Sequence, residues 1–165
     1  MNKFVLLISA VAFAGCGDKE NSSPKIPDNS AAVKINGVAF PIDLSKSEVI
    51  VTNQTSDLLV ILRTSQGING PRVLMQLDEF NKRAEKVNLS TQSTSVIALD
   101  ETPTGGPQHG SRDCDPVNRS IEIVSYDEAK RTVSGRFSGN LCSTMRGPVT
   151  KTASEGEFNL PFKLQ

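Results

Sequence analysis

His109 is the only histidine of the chain, and it lies close in sequence to Asp113, Cys114 and Asp115. Imidazole, thiolate and carboxylate are the donors that bind zinc and the groups that move protons in hydrolysis, so any chemistry would be sought here first. A metal centre needs several such donors converging, and this spacing fits no zinc or calcium loop. Cys114 also has a second use, as half of a disulfide. A Ser–His–Asp mechanism would have to use His109 too, yet no serine sits in a strand–Gly-x-Ser-x-Gly–helix setting. Asp43, Asp57, Asp78 and Asp100 are scattered carboxylates that would have to pair for glycoside chemistry. No motif joins them, and Trp, a common sugar platform, is absent. No glycine loop suited to phosphate occurs. The expectation is a protein that is not an enzyme and uses no metal or cofactor, with His109 and its neighbours as exposed loop residues. The charge run at residues 82–86 is expected to be a solvated face.

The other informative residue is Cys16. It closes Phe13-Ala14-Gly15-Cys16 behind an apolar run at residues 4–13 and a single basic residue, Lys3. That is the layout of a secretory leader, too short to span the roughly 30 Å core of a bilayer as a permanent helix. The cysteine after Ala-Gly resembles the lipobox of bacterial lipoproteins, which implies cleavage before Cys16 and acylation of its thiol; Phe13 departs from the usual Leu or Val. Gly17, not Asp, follows the cysteine, which points to the outer membrane, on its periplasmic face or at the surface. If Cys16 carries lipid, Cys114 and Cys142 remain as a pair in an oxidising compartment, and a disulfide is expected.

Lys+Arg and Asp+Glu balance at 18 each, so there is no basic excess to hold nucleic acid. With one Tyr and no Trp, stacking platforms for bases are scarce. The expected organisation is a signal peptide over 1–15, a lipidated cysteine and flexible linker over 16–32, and one β domain over 33–165.

Within that domain Asn36-Gly37 separates Val33-Lys34-Ile35 from Val38-Ala39-Phe40, a strong two-residue hairpin signal. Residues 48–52 and 58–63 (LLVILR) follow as strands, the second apolar enough to be central. Residues 72–77 fit either a strand, through Val73, Met75 and Leu77, or the start of a short helix. Residues 95–99 make another strand. Residues 102–116 hold three prolines and three glycines, and are expected to form a loop with no regular element. In the last third, Ile121 and Ile123 share one strand side, and Val133, Gly135, Phe137, Gly139 and Leu141 share another, with Asp127-Glu128-Ala129 as the turn. Pairing Ile123 with Val133 and Ile121 with Gly135 would set Cys114 directly opposite Cys142. The final strand alternates Phe158, Leu160, Phe162 and Leu164 inward, with Pro161 on the outer side, which suits an edge or a bulge. No helical period and no repeat are visible. The pattern predicts an all-β fold, an antiparallel β-sandwich or partly open barrel of about eight strands.

Tyr126-Asp127, residues 132–137 (TVSGRF), residues 155–158 (EGEF) and Ile35-Asn36-Gly37 together resemble small Gram-negative envelope lipoproteins of the Bacteroidetes type that carry a β-rich domain of unknown function. The resemblance covers about a third of the chain, and Cys114 and Cys142 are not part of it. It implies a fold and a lipid anchor, and no activity. The function expected is that of a lipid-anchored, non-catalytic binding module for a protein or glycan partner, with Gln108, His109, Arg112 and Asp113 as the candidate binding loop. Alternatives are an inhibitor or immunity-type lipoprotein, or a hydrolase with an unrecognised site.

Anchoring is directly testable. Several acyl chains at about 0.8 kcal/mol per buried CH₂ hold a protein on a membrane firmly. Cys16→Ser is therefore expected to yield an uncleaved or soluble form in membrane fractionation. A correctly cleaved mutant that still partitions with membranes would sink the assignment.

Overall fold

The structure, a computed structural model, describes residues 24–87, 94–102, 108–143 and 147–165. The leader and Cys16 lie outside these residues, as does part of the 102–116 segment. The described chain is all-β. Its strands are β1 Ser30–Ile35, β2 Val38–Ala39, β3 Glu48–Val51, β4 Leu58–Arg63, β5 Arg72–Leu77, β6 Glu85–Val87, β7 Val96–Asp100, β8 Gln108–Gly110, β9 Arg119–Asp127, β10 Thr132–Cys142 and β11 Val149–Leu164. The helix alternative for residues 72–77 gives way to a strand. Val73, Met75 and Leu77 are buried at period two, while the residues between them are half-buried.

These strands form one mixed sheet of 11 strands in the order β2-β1-β11-β3-β4-β5-β7-β8-β10-β9-β6, with β10 also paired to β11. The ladders from β11 through β3, β4, β5, β7, β8 and β10 therefore return to β11 in a closed circuit. β1–β2 and β9–β6 are flanges on that circuit. The expected antiparallel arrangement of about eight strands is corrected in two ways. β2, β6 and β8 are only two or three residues long, too short to show an apolar period. And β11 pairs parallel to β3, at Phe162↔Val49 through Leu164↔Val51.

One buried cluster fills the interior, drawing Val49, Leu58, Val60, Leu62, Ile97, Ile121, Phe137, Phe158 and Phe162 among others from every long strand. Its tightest seam lies between β10 and β11. There Gly135 faces Phe158 and Phe137 faces Gly156, so each glycine lies beneath the opposite strand's ring. A Cβ on Gly135 would stand 2.8 Å from the Phe158 ring, and one on Gly156 would stand 2.7 Å from the Phe137 ring and 2.5 Å from its carbonyl oxygen. The rings occupy the space the glycines leave, an aromatic cover for glycines in a ladder. Between Gly139↔Ala153 and Phe137↔Gly156 the register slips, and Glu155 takes φ 49°. This bulge keeps both Ala153 and Gly156 on the inner face.

Pro161 is not at an edge. β11 has β10 on one flank, and on the other β1 up to Asn159 and β3 from Phe162. The Phe162 amide donates to Arg131 O at 2.9 Å, so the imide of Pro161 points away from β10, into the gap where one neighbour ends and the next begins. No ladder bond is lost.

The linker also departs from expectation. The sheet begins at Ser30, and residues 24–29 are held across its outer face. Ile26 is buried, Arg136 donates to Pro24 O, and Asn159 Nδ2 donates to Ile26 O at 3.2 Å and to Asp28 Oδ1 at 3.0 Å. The polar composition of this stretch concealed a single anchor, Ile26.

Gly156→Ala is expected to destabilise the fold by about 2–3 kcal/mol, because the new methyl must displace backbone as well as a ring. A denaturant midpoint equal to that of the parent protein would show that the seam tolerates it.

Candidate functional site

Strand directions place most turns at one of two ends. At the near end, where the N-terminal segment arrives, lie Ser30, the turns at 52–57 and 78–84, the β9–β10 turn and the C-terminus. At the far end lie the Asn36-Gly37 turn, residues 64–71, and the links from β7 to β8 and from β10 to β11. The carboxylates weighed for glycoside chemistry are divided between these ends and each has a local partner. Asp43 Oδ1 accepts from Ser45 Oγ at 2.7 Å and Asp57 Oδ2 from Thr55 Oγ1 at 2.6 Å. Asp78 Oδ1 accepts from Gln76 at 2.7 Å and Asp100 Oδ2 from Arg72 Nε at 2.7 Å.

The far end gathers the reactive side chains. Cys114 and Cys142 form a disulfide with Cα atoms 5.2 Å apart, inside the range that a disulfide spans. The expected pair is present, but the register that suggested it is not. Gly135 faces Ile123 and Phe137 faces Ile121, with a bulge between Ser134 and Gly135. β9 begins only at Arg119, and Cys142 pairs with Gly110 of β8. Cys114 reaches Cys142 from the single 3-10 turn Ser111–Asp113 that follows β8.

The same strand corrects the expected loop. Residues 108–110 are woven between β7 and β10, with Leu99↔His109 and Cys142↔Gly110 as register pairs. His109 is 6% exposed and Ser111 0%, so His109 is a sheet residue and not an exposed loop residue. Of the four candidate binding residues, Gln108 and Arg112 are exposed and Asp113 is half-buried. Arg112 Nη1 donates to Thr94 O at 3.2 Å, and Asp113 Oδ2 lies 2.5 Å from the place of a Cβ on Gly110.

His109 is joined by residues that sequence reasoning passed over. Its Nδ1 is 2.8 Å from Thr150 Oγ1, which lies 3.1 Å from Leu141 O. Its Nε2 faces Glu101 Oε2 at 3.5 Å, too far for a good hydrogen bond, and is buried with no hydrogen-bond partner. Glu101 Oε1 accepts from Lys151 Nζ at 2.5 Å. That hydrogen bond, with smaller help from Lys151's charge and His109, holds the Glu101 carboxyl below its ordinary range. The only signal in the sequence was parity: Thr150 and Lys151 open β11, but their register waits on the bulge at Glu155.

A hydroxyl, an imidazole and a carboxylate in line invite a nucleophilic reading. The single Thr150 proton is within reach of Leu141 O as well as of the ring. Among the described residues no group of three His, Cys, Asp or Glu side chains could hold a metal ion.

At the near end the docked segment and the β9–β10 turn bound an open groove of about 980 Å³, with Ser125, Ser134 and Asn159 on its floor and Asp28, Asp127 and Lys130 on its walls. Tyr126 lies inside this end, its ring stacked on Phe162 at 5.1 Å and edge-on to Phe80 at 5.4 Å; burial pushes its phenol up.

The disulfide has a measurable role. Its cysteines are 28 residues apart in sequence, which corresponds to about 3–4 kcal/mol in the chain-entropy model. Replacing both with Ala is expected to lower the denaturant midpoint while circular dichroism keeps its β signature. Loss of that signature would mean the bridge is needed to form the sheet. No known protein family, curated protein or solved structure matches this chain.

Proposed function

We propose that this is a lipid-anchored outer-membrane protein, akin to the small β-rich lipoproteins of Bacteroidetes-type bacteria, that acts as a non-catalytic binding module with its far end as the recognition surface. The closed circuit of ladders is read as a partly open barrel standing on the membrane. One observation carries the reading: the chain enters at one end, and the exposed large apolar side chains of the described residues are all at the other. Val38, Ile68 and Val149 are 70%, 73% and 46% exposed, and each belongs to a far-end turn or strand start. Their gathering at one end is the ground for placing recognition there, and apolar side chains suit a protein partner better than a glycan.

Pro24 is eight positions after Cys16, which at full extension is about 28 Å. A lipidated Cys16 would thus hold the near end close to the bilayer and turn the far end outward. Gln108 is there too, with its backbone fixed by β8, and Arg112 follows in the turn that the disulfide braces, with Nη1 on Thr94 O; a backbone so held lowers the ordering cost of binding.

Photo-crosslinkers at Ile68 and Gln108, in intact cells, are expected to give one protein adduct that a crosslinker at Lys130 does not. The pair Gln108→Ala and Arg112→Ala should cut that adduct roughly tenfold or more with a melting temperature close to the parent's. An adduct obtained equally from Lys130, or undiminished by the pair, would move recognition to the near end.

A further inference from the structure

The His109 network is one hydrogen short. Three contacts run in line: Leu141 O to Thr150 Oγ1 at 3.1 Å, Thr150 Oγ1 to His109 Nδ1 at 2.8 Å, and His109 Nε2 to Glu101 Oε2 at 3.5 Å. The first two are hydrogen bonds and take one hydrogen each; the third becomes one only when Nε2 also carries a hydrogen. A backbone carbonyl and a carboxylate bring none, the threonine hydroxyl brings one, and a neutral imidazole brings one. Two hydrogens cannot serve three contacts. With the hydrogen on Nε2, the ring bonds Glu101 but Thr150 must turn to Nδ1 and leave Leu141 O. With it on Nδ1, Thr150 can serve Leu141 O, but a buried nitrogen lone pair then faces a carboxylate, which costs free energy. The observed distances fit the second arrangement, with its long Nε2 to Glu101 contact. Only an imidazolium, a donor at both nitrogens, completes the line.

The surrounding charges do not close this gap. Lys151 binds the other oxygen of Glu101 and stabilises it as a carboxylate. Asp100 is turned to Arg72, Arg112 to Thr94 O, and Asp113 lies on the Gly110 side of β8. The two feet of the β7–β8 link are Glu101, next after β7, and His109, one residue inside β8; Thr150 and Lys151 belong to β11.

We propose that His109 is a proton-gated clasp: Lys151 and Thr150 already hold the two feet of the β7–β8 link to β11, and on taking up a proton the ring joins those feet to each other and stiffens the far end. Protonation of the ring closes the clasp, and loss of the proton loosens it. This holds whatever the far end binds.

The single histidine makes the test unambiguous, since one imidazole signal can be followed by nuclear magnetic resonance alongside amide exchange. In the parent protein, the protection factors of the His109 and Lys151 amides, corrected for intrinsic exchange, should rise about fivefold between pH 7.5 and 5.5. Thr150→Val leaves one contact for one hydrogen, and Glu101→Gln supplies an amide donor to Nε2. Both variants should therefore lose the pH dependence, the second by being closed already at pH 7.5. Thr150 is exposed, so its variant should fold. A ring that stays neutral down to pH 5, protection that is flat with pH in the parent, or variants that keep the parent's rise would each overturn the proposal.

Discussion

The seam between β10 and β11 is the constraint on which the rest of the structure depends. Two phenylalanines and two glycines exchange places across it, Gly135 beneath Phe158 and Gly156 beneath Phe137. Full burial of each ring is worth about 2–3 kcal/mol, and each glycine allows a close approach that a Cβ would block. This ladder is also where the circuit closes: β11 carries β1 and β3 on its other flank, and β10 carries β8 and β9. Loosening it would part the circuit and both flanges together.

Much of the fold was legible because long strands buried on one face write their period into the chain. Val73, Met75 and Leu77, or Phe158, Leu160 and Phe162, alternate whatever lies beside them. The Asn36-Gly37 turn was equally plain, both residues adopting positive φ, 51° and 78°. What escaped is what periodicity does not record. β8 is three residues of Gln, His and Gly whose strand character comes from neighbours on both sides. The β9–β10 ladder pairs Val133 with Tyr126, not Ile123, from the turn onward, so the extrapolated register that faced Cys114 with Cys142 named a true pair through a wrong path. Pro161 looked like an edge residue because a change of neighbour in mid-strand leaves no mark in the sequence.

The candidate site shows the same division. His109 was singled out correctly, but with the residues next to it in the chain, Asp113, Cys114 and Asp115. Its actual partners come from the end of β7 and the start of β11, brought in by ladders. A sheet assembles side chains by register, and register was the quantity least readable here. Burial of His109 follows from the same cause: a loop residue would be solvated, whereas a residue with strands on both flanks is covered.

The strand that sits mid-sheet is also the last one in the chain. β11 fills the gap between β1 and β3 and closes the circuit against β10, yet it follows the other ten described strands in sequence. A chain emerging N-terminus first from a ribosome or a translocation pore would therefore hold ten strands with nothing between β1 and β3. The edges of both, and of β10, stay open to other chains until β11 arrives, a state in which unpaired strands aggregate readily. Closure of the sheet must then wait for β11, and loss of that strand leaves a sheet with no keystone.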